Sequence, residues 1–380
     1  MVYLLERLPE FQDELENDHS SSCTARLILH QLRWLDFIVE PQILTEKLIE
    51  PMVVYLKELM HENGDLTVPI LDALSNLTLH SESLDDVRQT VLERLESAEL
   101  DDLAVIVKFL LQTATPHTID EVIYGIRHNL DFYSLGKLKQ NEFQSLTSTT
   151  TIRSRKSDAN AQAPEALILE SIKLGLQFHK FVCDSWIKSI TALEDPGAHK
   201  IIDVLVLFIL HSMTSMKKKA EQIFRKKIIN RAITAQLIQL TLTNHGDALT
   251  GYWNTILSLS DSVLRSSRQN HAIVPCSSTL YVHSFIASNA HYQLEIIGSL
   301  VTHIGSGEIS FLKNVALNVL LQLVKFDVER VSEYAVFIKG ILDYLDNLSL
   351  GQIRVLFDIF SIMALTVRQF VWFTLKKNLE

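Results

Sequence analysis

The amino-acid sequence predicts an all-α fold, in the form of an α-solenoid built from stacked antiparallel helix pairs. Twelve glycines and eight prolines make up about 5% of the 380 residues, against a usual share of about 12%. This shortage disfavours a turn-rich β fold, and a hydrophobic content of 47% with 21% charged residues indicates a folded chain. Amphipathic segments recur at intervals of roughly 15–20 residues, joined by short polar connections, which is typical of HEAT-like or armadillo-like helix pairs.

The prediction of a solenoid depends on this rhythm alone, because the sequence contains no exact internal repeat. A single globular helical bundle is the alternative. A bundle of this length would need an unusually large core, so we favour the solenoid.

Apolar residues recur at helical spacing along most of the chain, and Ser310–Phe326 shows the pattern best. The residues expected on its apolar side are Leu312, Val315, Ala316, Val319, Leu323 and Phe326. The residues expected on its polar side are Lys313, Asn314, Asn318 and Gln322. Similar stripes occupy residues 25–39, 87–95, 102–111, 121–130, 166–190, 232–242, 248–264 and 281–301. Ser349, with Gln352 three residues later, has the form of a capping box at a helix start.

One polar segment interrupts these stripes and suggests a domain organisation. Residues 145–164 (SLTSTTTIRSRKSDANAQAP) have almost no apolar side chains to offset the entropy of ordering, so we expect a mobile loop. The expected divisions are an N-terminal helical array (1–144), this loop (145–164), a second array (165–366) and a tail (367–380).

Charge is distributed unevenly. The formal net charge is −10, and residues 81–102 contribute a net −6. Residues 214–231 carry a net +6. The basic residues of this second segment are Lys217, Lys218, Lys219, Arg225, Lys226, Lys227 and Arg231. On a helix most of them would form a ridge able to neutralise phosphates without reading sequence, but the sequence alone favours an ordinary solvated helix face.

No arrangement of residues for catalysis, cofactor binding or metal binding is visible in the sequence. The three cysteines are far apart, the histidines lack ligand spacing, and there is no glycine-rich phosphate loop. We therefore expect no cofactor, no metal and no enzymatic activity. No run of 18 apolar residues occurs, and acidic residues interrupt the N-terminus, so neither a membrane span nor a signal peptide is expected.

Residues 335–347 (AVFIKGILDYLDN), followed by Gln352-Ile353-Arg354, closely resemble the Fanconi anaemia group D2 family around its ubiquitin-acceptor lysine. Further segments resemble the same family in the same order: residues 4–11 (LLERLPEF), 66–74 (LTVPILDAL), 186–190 (WIKSI) and 300–307 (LVTHIGSG). The resemblance extends from about Tyr3 to about Thr366. Family members are several times longer, and the sequence no longer resembles them from about Val367, so a partial or truncated chain is expected.

The resemblance implies an α-solenoid that pairs with the Fanconi group I paralogue and encloses double-stranded DNA during interstrand-crosslink repair. In the family, a conjugating enzyme and the group L ligase attach one ubiquitin to the acceptor lysine, which corresponds to Lys339. A chromatin-associated protein of the nucleus is implied. The basic segment at residues 214–231 has a basic counterpart in the family, which supports a role in contacting DNA.

The local pattern agrees with an exposed acceptor. An apolar stripe centred near Ile338 would place Lys339 at its flank, with the side-chain stem along apolar neighbours and the amine directed outward. On a continuous helix, Asp343 would share the side of Lys339. Two other interpretations stay open: a HEAT-type transport or assembly adaptor without ubiquitin or DNA, and the paralogous group I protein, which residues 337–347 (FIKGILDYLDN) disfavour.

Overall fold

The computed structural model describes residues 50–62, 64–75, 84–95, 98–135, 164–267, 270–306 and 310–377. All regular secondary structure in these ranges is helical, so the predicted all-α fold is confirmed. The segment at residues 4–11, the stripe at residues 25–39 and nearly all of the predicted loop at residues 145–164 lie outside the described residues.

The helices fall into two compact units. The described residues of the first unit lie within 50–131 and 164–190. Its helices are α1 (Glu50–Glu62), α2 (Thr67–Ser75), α3 (Asp85–Arg94), α4 (Leu103–Thr113), α5 (Ile119–Asn129), α6 (Pro164–Phe178) and the part of α7 (Lys180–Ala192) up to Ile190. The limits predicted for two arrays, a loop and a tail stay predictions.

Helix α4 is central to the first unit, because it packs against both α2 and α6. The hydroxyl of Ser171 donates to the carbonyl oxygen of Ala104 at 2.9 Å and joins α6 to α4. The approach of the two helices is close: a Cβ atom at Gly175 would lie 2.8 Å from Cβ of Leu111. Glycine therefore permits this packing distance.

The second unit contains residues 132–135 and 191–377 of the described chain. Its helices are α8 (Ile201–Ser212), α9 (Lys217–Ile229), α10 (Ala235–His245), α11 (Trp253–Ser266), α12 (Val274–Ala287), α13 (Ala290–Gly305), α14 (Ser310–Phe326), α15 (Val328–Ser332), α16 (Ala335–Lys339) and α17 (Leu350–Lys377). Neighbouring helices pack in succession, α8 on α9, α11 on α12, α13 on α14 and α14 on α17. This arrangement of stacked pairs is the one expected for a solenoid.

Two long predicted stripes are each divided between two helices. The stripe at residues 166–190 breaks at His179, and the stripe at residues 281–301 breaks at Ser288 and Asn289. The side chain of Asn289 accepts a hydrogen bond from the backbone N–H of Tyr292 at 3.2 Å and starts α13. Periodicity missed these breaks because both helices of each pair bury apolar residues, and the second break is marked only by the polar side chain of Asn289.

Most of the α14 pattern is confirmed, with two exceptions. Leu312, Val315, Ala316, Val319 and Leu323 are buried, as predicted. Phe326, expected on the apolar side, is 62% exposed in the last turn of the helix. Lys313, expected on the polar side, is buried.

The predicted capping box at the start of α17 is confirmed. The side-chain oxygen of Gln352 accepts from the backbone N–H of Ser349 at 2.8 Å, and Ser349 Oγ accepts from the N–H of Gln352 at 3.4 Å. Within the described ranges, no helix combines the length and apolar character needed to cross a membrane.

Candidate functional site

The acceptor segment, residues 335–347, is not the continuous α-helix that the periodicity predicted. Helix α16 ends at Lys339, and a 3-10 helix follows from Gly340 to Asn347. Glycine is a poor α-helix former, and 3-10 winding places residues three apart on one side. This alignment brings Ile341 and Tyr344 onto the side of Ile338, and Tyr344 itself has non-helical angles (φ −111°, ψ 15°).

The predicted apolar side of this region is confirmed. Val331, Tyr334, Ile338 and Ile341 are all buried and belong to the core that α13 and α14 share. The acceptor segment packs on α13 through both its α-helical and its 3-10 part. Burial of this side fixes which residues of the segment face solvent.

Lys339 is exposed at the C-terminal end of α16. Its apolar neighbours Val336 and Phe337 are also exposed, by 81% and 50%. Asp343 does not share the side of Lys339 as predicted, because four residues of 3-10 winding place it about a third of a turn away. Among the described residues, no ion pair joins Lys339 to Asp343 or Asp346.

The chain that leads into the acceptor segment is fixed by Tyr334. Its hydroxyl lies 3.1 Å from the carbonyl oxygen of Ala290, to which it donates, and 3.0 Å from Oε1 of Gln293. The Gln293 amide in turn donates to the carbonyl oxygens of Phe285 and Ser288, at 2.9 and 3.0 Å. The start of the segment is thus joined to the junction of α12 and α13.

The end of the acceptor segment is fixed by the first turn of α14. Lys313, 5% exposed, donates from Nζ to the carbonyl oxygen of Asn347 at 3.1 Å. Buried Gln352, just beyond the segment, donates from Nε2 to the carbonyl oxygen of Ser310 at 2.9 Å. A cation at the carbonyl end of a helix is favourably placed.

Sequence analysis missed Lys313, although the helical wheel of α14 contains a signal for it. Leu317, Leu320 and Val324 follow Lys313 by four, seven and eleven residues and therefore share its side. All three are buried. A lysine placed in the middle of such a side is expected to be buried with it.

The basic ridge predicted at residues 214–231 is only partly exposed. The exposed residues, which we call the basic surface, are Lys217, Lys218, Lys219, Lys226 and Arg231. Arg225 is half-buried, pairs with Glu221 at 3.3 Å and donates to Ser266 Oγ at 2.9 Å. The predicted ridge therefore reduces to a smaller cluster at the two ends of α9.

Lys227 is not part of any solvent-facing ridge, contrary to prediction. It is 3% exposed, and Nζ donates to the carbonyl oxygens of Thr191, at 2.9 Å, and of Leu193. Burial lowers the pKa of its amine below the usual value. Lys227 follows Ala220 by seven residues and Phe224 by three, so it lies on the buried side of α9 and caps the C-terminal end of α7.

A polar network joins α11, α12 and α13. Asp261 Oδ1 accepts from the hydroxyl of Tyr281 and from Ser299 Oγ at 2.6 Å. Nε2 of His303 lies 3.3 Å from the same oxygen. Burial alone would raise the pKa of the Asp261 carboxyl, but these three bonds together hold its pKa below the ordinary value.

The described residues offer little for metal-dependent or thiol chemistry. Across those ranges, no group of three or more histidine, cysteine, aspartate or glutamate side chains is placed to hold a metal ion. The cysteines at positions 183 and 276 are buried, and burial raises the pKa of the Cys276 thiol to about 11. Neither thiol is disposed to act as a nucleophile.

Comparison with known proteins identifies the family. The family model described as "Fanconi anaemia protein FancD2 nuclease" matches residues 52–371. The chain is 33% identical over 392 residues to the Fanconi anemia group D2 protein homolog of Mus musculus and 34% identical to that of Rattus norvegicus, covering 95% of this chain in both cases. It is 32% identical over 404 residues to the group D2 protein of Gallus gallus.

The chain spans only about a quarter of the length of these curated relatives, 27% of the two rodent proteins and 28% of the chicken protein. The matched residues nevertheless include the acceptor segment, the basic surface and most of the helices described above. The resemblance inferred from residues 335–347 and the shorter motifs is confirmed at this level. The chain belongs to the Fanconi anaemia group D2 protein family.

Proposed function

We propose that this chain is the acceptor-bearing part of a non-catalytic scaffold for DNA interstrand-crosslink repair in the nucleus, bound to chromatin. In this proposal Lys339 receives one ubiquitin, the chain pairs with the Fanconi group I paralogue, and the pair clamps double-stranded DNA. Family membership supports the pathway. The observation that carries the proposal is the exposure of Lys339 within the segment that resembles the family's acceptor motif.

The scaffold supplies only the amine nucleophile to the ubiquitin-transfer reaction. The unprotonated amine of Lys339 attacks the thioester carbon that joins ubiquitin to the cysteine of the conjugating enzyme. A C–N bond forms, the C–S bond breaks, the enzyme's thiolate leaves, and the amine gives up a proton. Since no carboxylate among the described residues pairs with Lys339, the group L ligase and the conjugating enzyme would supply the deprotonation and the orientation.

The surface around Lys339 has features suited to a protein partner. Val336 and Phe337, three and two residues before Lys339, are exposed on the same short helix. Apolar side chains exposed together are a common mark of a protein–protein interface. We assign this surface to the group I paralogue, whose binding would cover the segment and control access to Lys339.

The basic surface is the candidate for contact with DNA. Its five exposed cations contrast with the net charge of −10 of the whole chain, so any attraction for phosphates must be local. Contacts of this type are independent of base sequence and weaken as salt increases. Such contacts suit a protein that encloses duplex DNA without reading it.

The description of the matching family contains the word nuclease. Phosphodiester hydrolysis by the usual two-metal route needs clustered carboxylates, and no such cluster occurs in the part of the chain that is described. We therefore propose the scaffold role. Incubation of the purified chain with duplex and single-stranded DNA and with Mg²⁺ or Mn²⁺ should leave the DNA intact.

Reconstituted ubiquitination tests the proposal. The chain is incubated with ubiquitin, its activating and conjugating enzymes, the group L ligase and the group I paralogue, and the product is mapped by mass spectrometry. Lys339→Arg keeps the charge but cannot form the isopeptide bond, so modification should be lost. Lys325→Arg, at another exposed lysine, is the matched control and should be modified normally.

Two results would overturn the proposal in different ways. Equal modification of the Lys339→Arg variant would show that another lysine is the acceptor. Absence of modification of the wild-type chain, together with absence of duplex binding, would favour the HEAT-type adaptor without a ubiquitin or DNA role.

A further inference from the structure

The acceptor segment is held at its two ends by buried polar contacts, and Lys339 between them is exposed. At the start, the Tyr334 hydroxyl bonds to α13; at the end, the Lys313 ammonium bonds to Asn347. The thirteen residues of the segment include Lys339 and only two fully buried side chains, Ile338 and Ile341. Ala335, Leu342 and Leu345 are partly buried against the same core, and the two polar contacts add directional restraints at the ends of the segment.

Burying a lysine and forming a 3-10 helix are both unfavourable in free energy. A buried lysine ammonium loses its hydration. A leucine or methionine side chain could fill the same space without that loss. A short 3-10 helix is also less stable than the α-helix that the apolar pattern would allow. The bond from Lys313 to Asn347 ties the end of this 3-10 helix to α14.

We propose that Lys313 and Tyr334 are positioning residues for ubiquitin transfer, which hold the acceptor segment so that Lys339 is presented to the charged conjugating enzyme in a fixed orientation. This inference rests on the function proposed above, in which Lys339 is the acceptor. Attack on a thioester requires close and directed approach of the amine, and small displacements of the reacting groups reduce rates strongly. A segment that is free to shift would still meet the enzyme but would react less often.

Four variants of the full 380-residue chain test the proposal. Lys313→Met removes the ammonium and keeps the length of the side chain. Lys313→Arg keeps a hydrogen-bond donor and should retain the function. Tyr334→Phe removes only the hydroxyl. Lys325→Met, at an exposed lysine of the same helix α14, is the matched control.

Single-turnover transfer from the ubiquitin-charged conjugating enzyme separates the rate of transfer from binding. Lys313→Met should transfer ubiquitin roughly tenfold or more slowly, with little change in half-saturating enzyme concentration, because positioning and not docking is impaired. Hydrogen exchange should rise within residues 340–347 and stay unchanged in α8 and α11. Lys313→Arg should recover most of the rate, and Lys325→Met should match the wild type.

A wild-type transfer rate in both Lys313→Met and Tyr334→Phe, with or without raised exchange in the acceptor segment, would overturn the positioning role alone. A slower rate accompanied by faster exchange throughout the second unit would also overturn it, because general destabilisation would then be the cause. If the wild-type chain is modified elsewhere than Lys339, the proposed function fails and this inference fails with it.

Discussion

The aromatic ring of Tyr344 lies directly against the backbone of Gly305, so that a Cβ atom at position 305 would stand 2.8 Å from Cε2 of the ring. A side chain at this position would require the Tyr344 ring to move. The contact joins the last residue of α13 to the only residue of the 3-10 helix whose angles are non-helical. The absence of a side chain at Gly305 thus helps to determine the bend that follows Lys339.

Substitution of this glycine should destabilise the second unit. We expect Gly305→Ala to lower the free energy of unfolding by about 1–3 kcal/mol, because the methyl group must displace the Tyr344 ring. Gly298→Ala, in the same helix, is the matched control: nothing lies within 4 Å of its Cβ position. Alanine should there stabilise the helix by about 0.5–1 kcal/mol. Urea unfolding measures both, and equal effects of the two substitutions would contradict the contact.

Lys226 and Lys227 are adjacent in sequence but should differ in what they contribute to the stability of the fold. Lys227→Met leaves the carbonyl oxygens of Thr191 and Leu193 without their donor, so we expect a decrease of about 1–3 kcal/mol in unfolding free energy. Lys226→Met, at an exposed position, should change stability by less than about 0.5 kcal/mol. Chemical denaturation measures the unfolding free energy of both variants. A Lys227→Met protein as stable as the wild type would show that the buried amine is not needed for stability.

The helical fold and the buried side of the acceptor segment could be predicted from the sequence, because both follow from apolar spacing. The positions of Lys227 and Lys313 were predicted wrongly, since a lysine was assigned to solvent by its charge. Each lies on the buried side of its helix by the same spacing rule, and each finds backbone carbonyls that the sequence does not reveal. The bend at Tyr344 could not be predicted from apolar spacing, because this ring lies against Gly305, a residue distant in sequence.

Asp261 should make the stability of the second unit depend on acidity. Its folded-state pKa lies below the ordinary carboxyl value, so the ionised form stabilises the fold above that ordinary value, and the contribution disappears as pH falls through the lowered pKa. The unfolding free energy of the wild type should therefore drop more steeply below about pH 4 than that of Asp261→Asn. Urea titrations at several pH values measure the two slopes. Parallel slopes would show that Asp261 does not cause the loss of stability in acid.

The basic surface should govern the salt dependence of duplex binding. Replacing Lys217, Lys218 and Lys219 by alanine removes three exposed cations at the start of α9. Each DNA phosphate that is no longer neutralised should flatten the slope of log K against log salt by about 0.9, so the slope should fall by up to roughly 3.

A second triple variant, Lys180→Ala, Lys200→Ala and Lys325→Ala, removes the same charge from exposed positions elsewhere and is the matched control. Fluorescence anisotropy with a labelled duplex between about 50 and 200 mM salt measures both slopes. An equal change in the two variants would mean that net charge alone attracts DNA, whereas a change confined to the first would locate the binding site on α9.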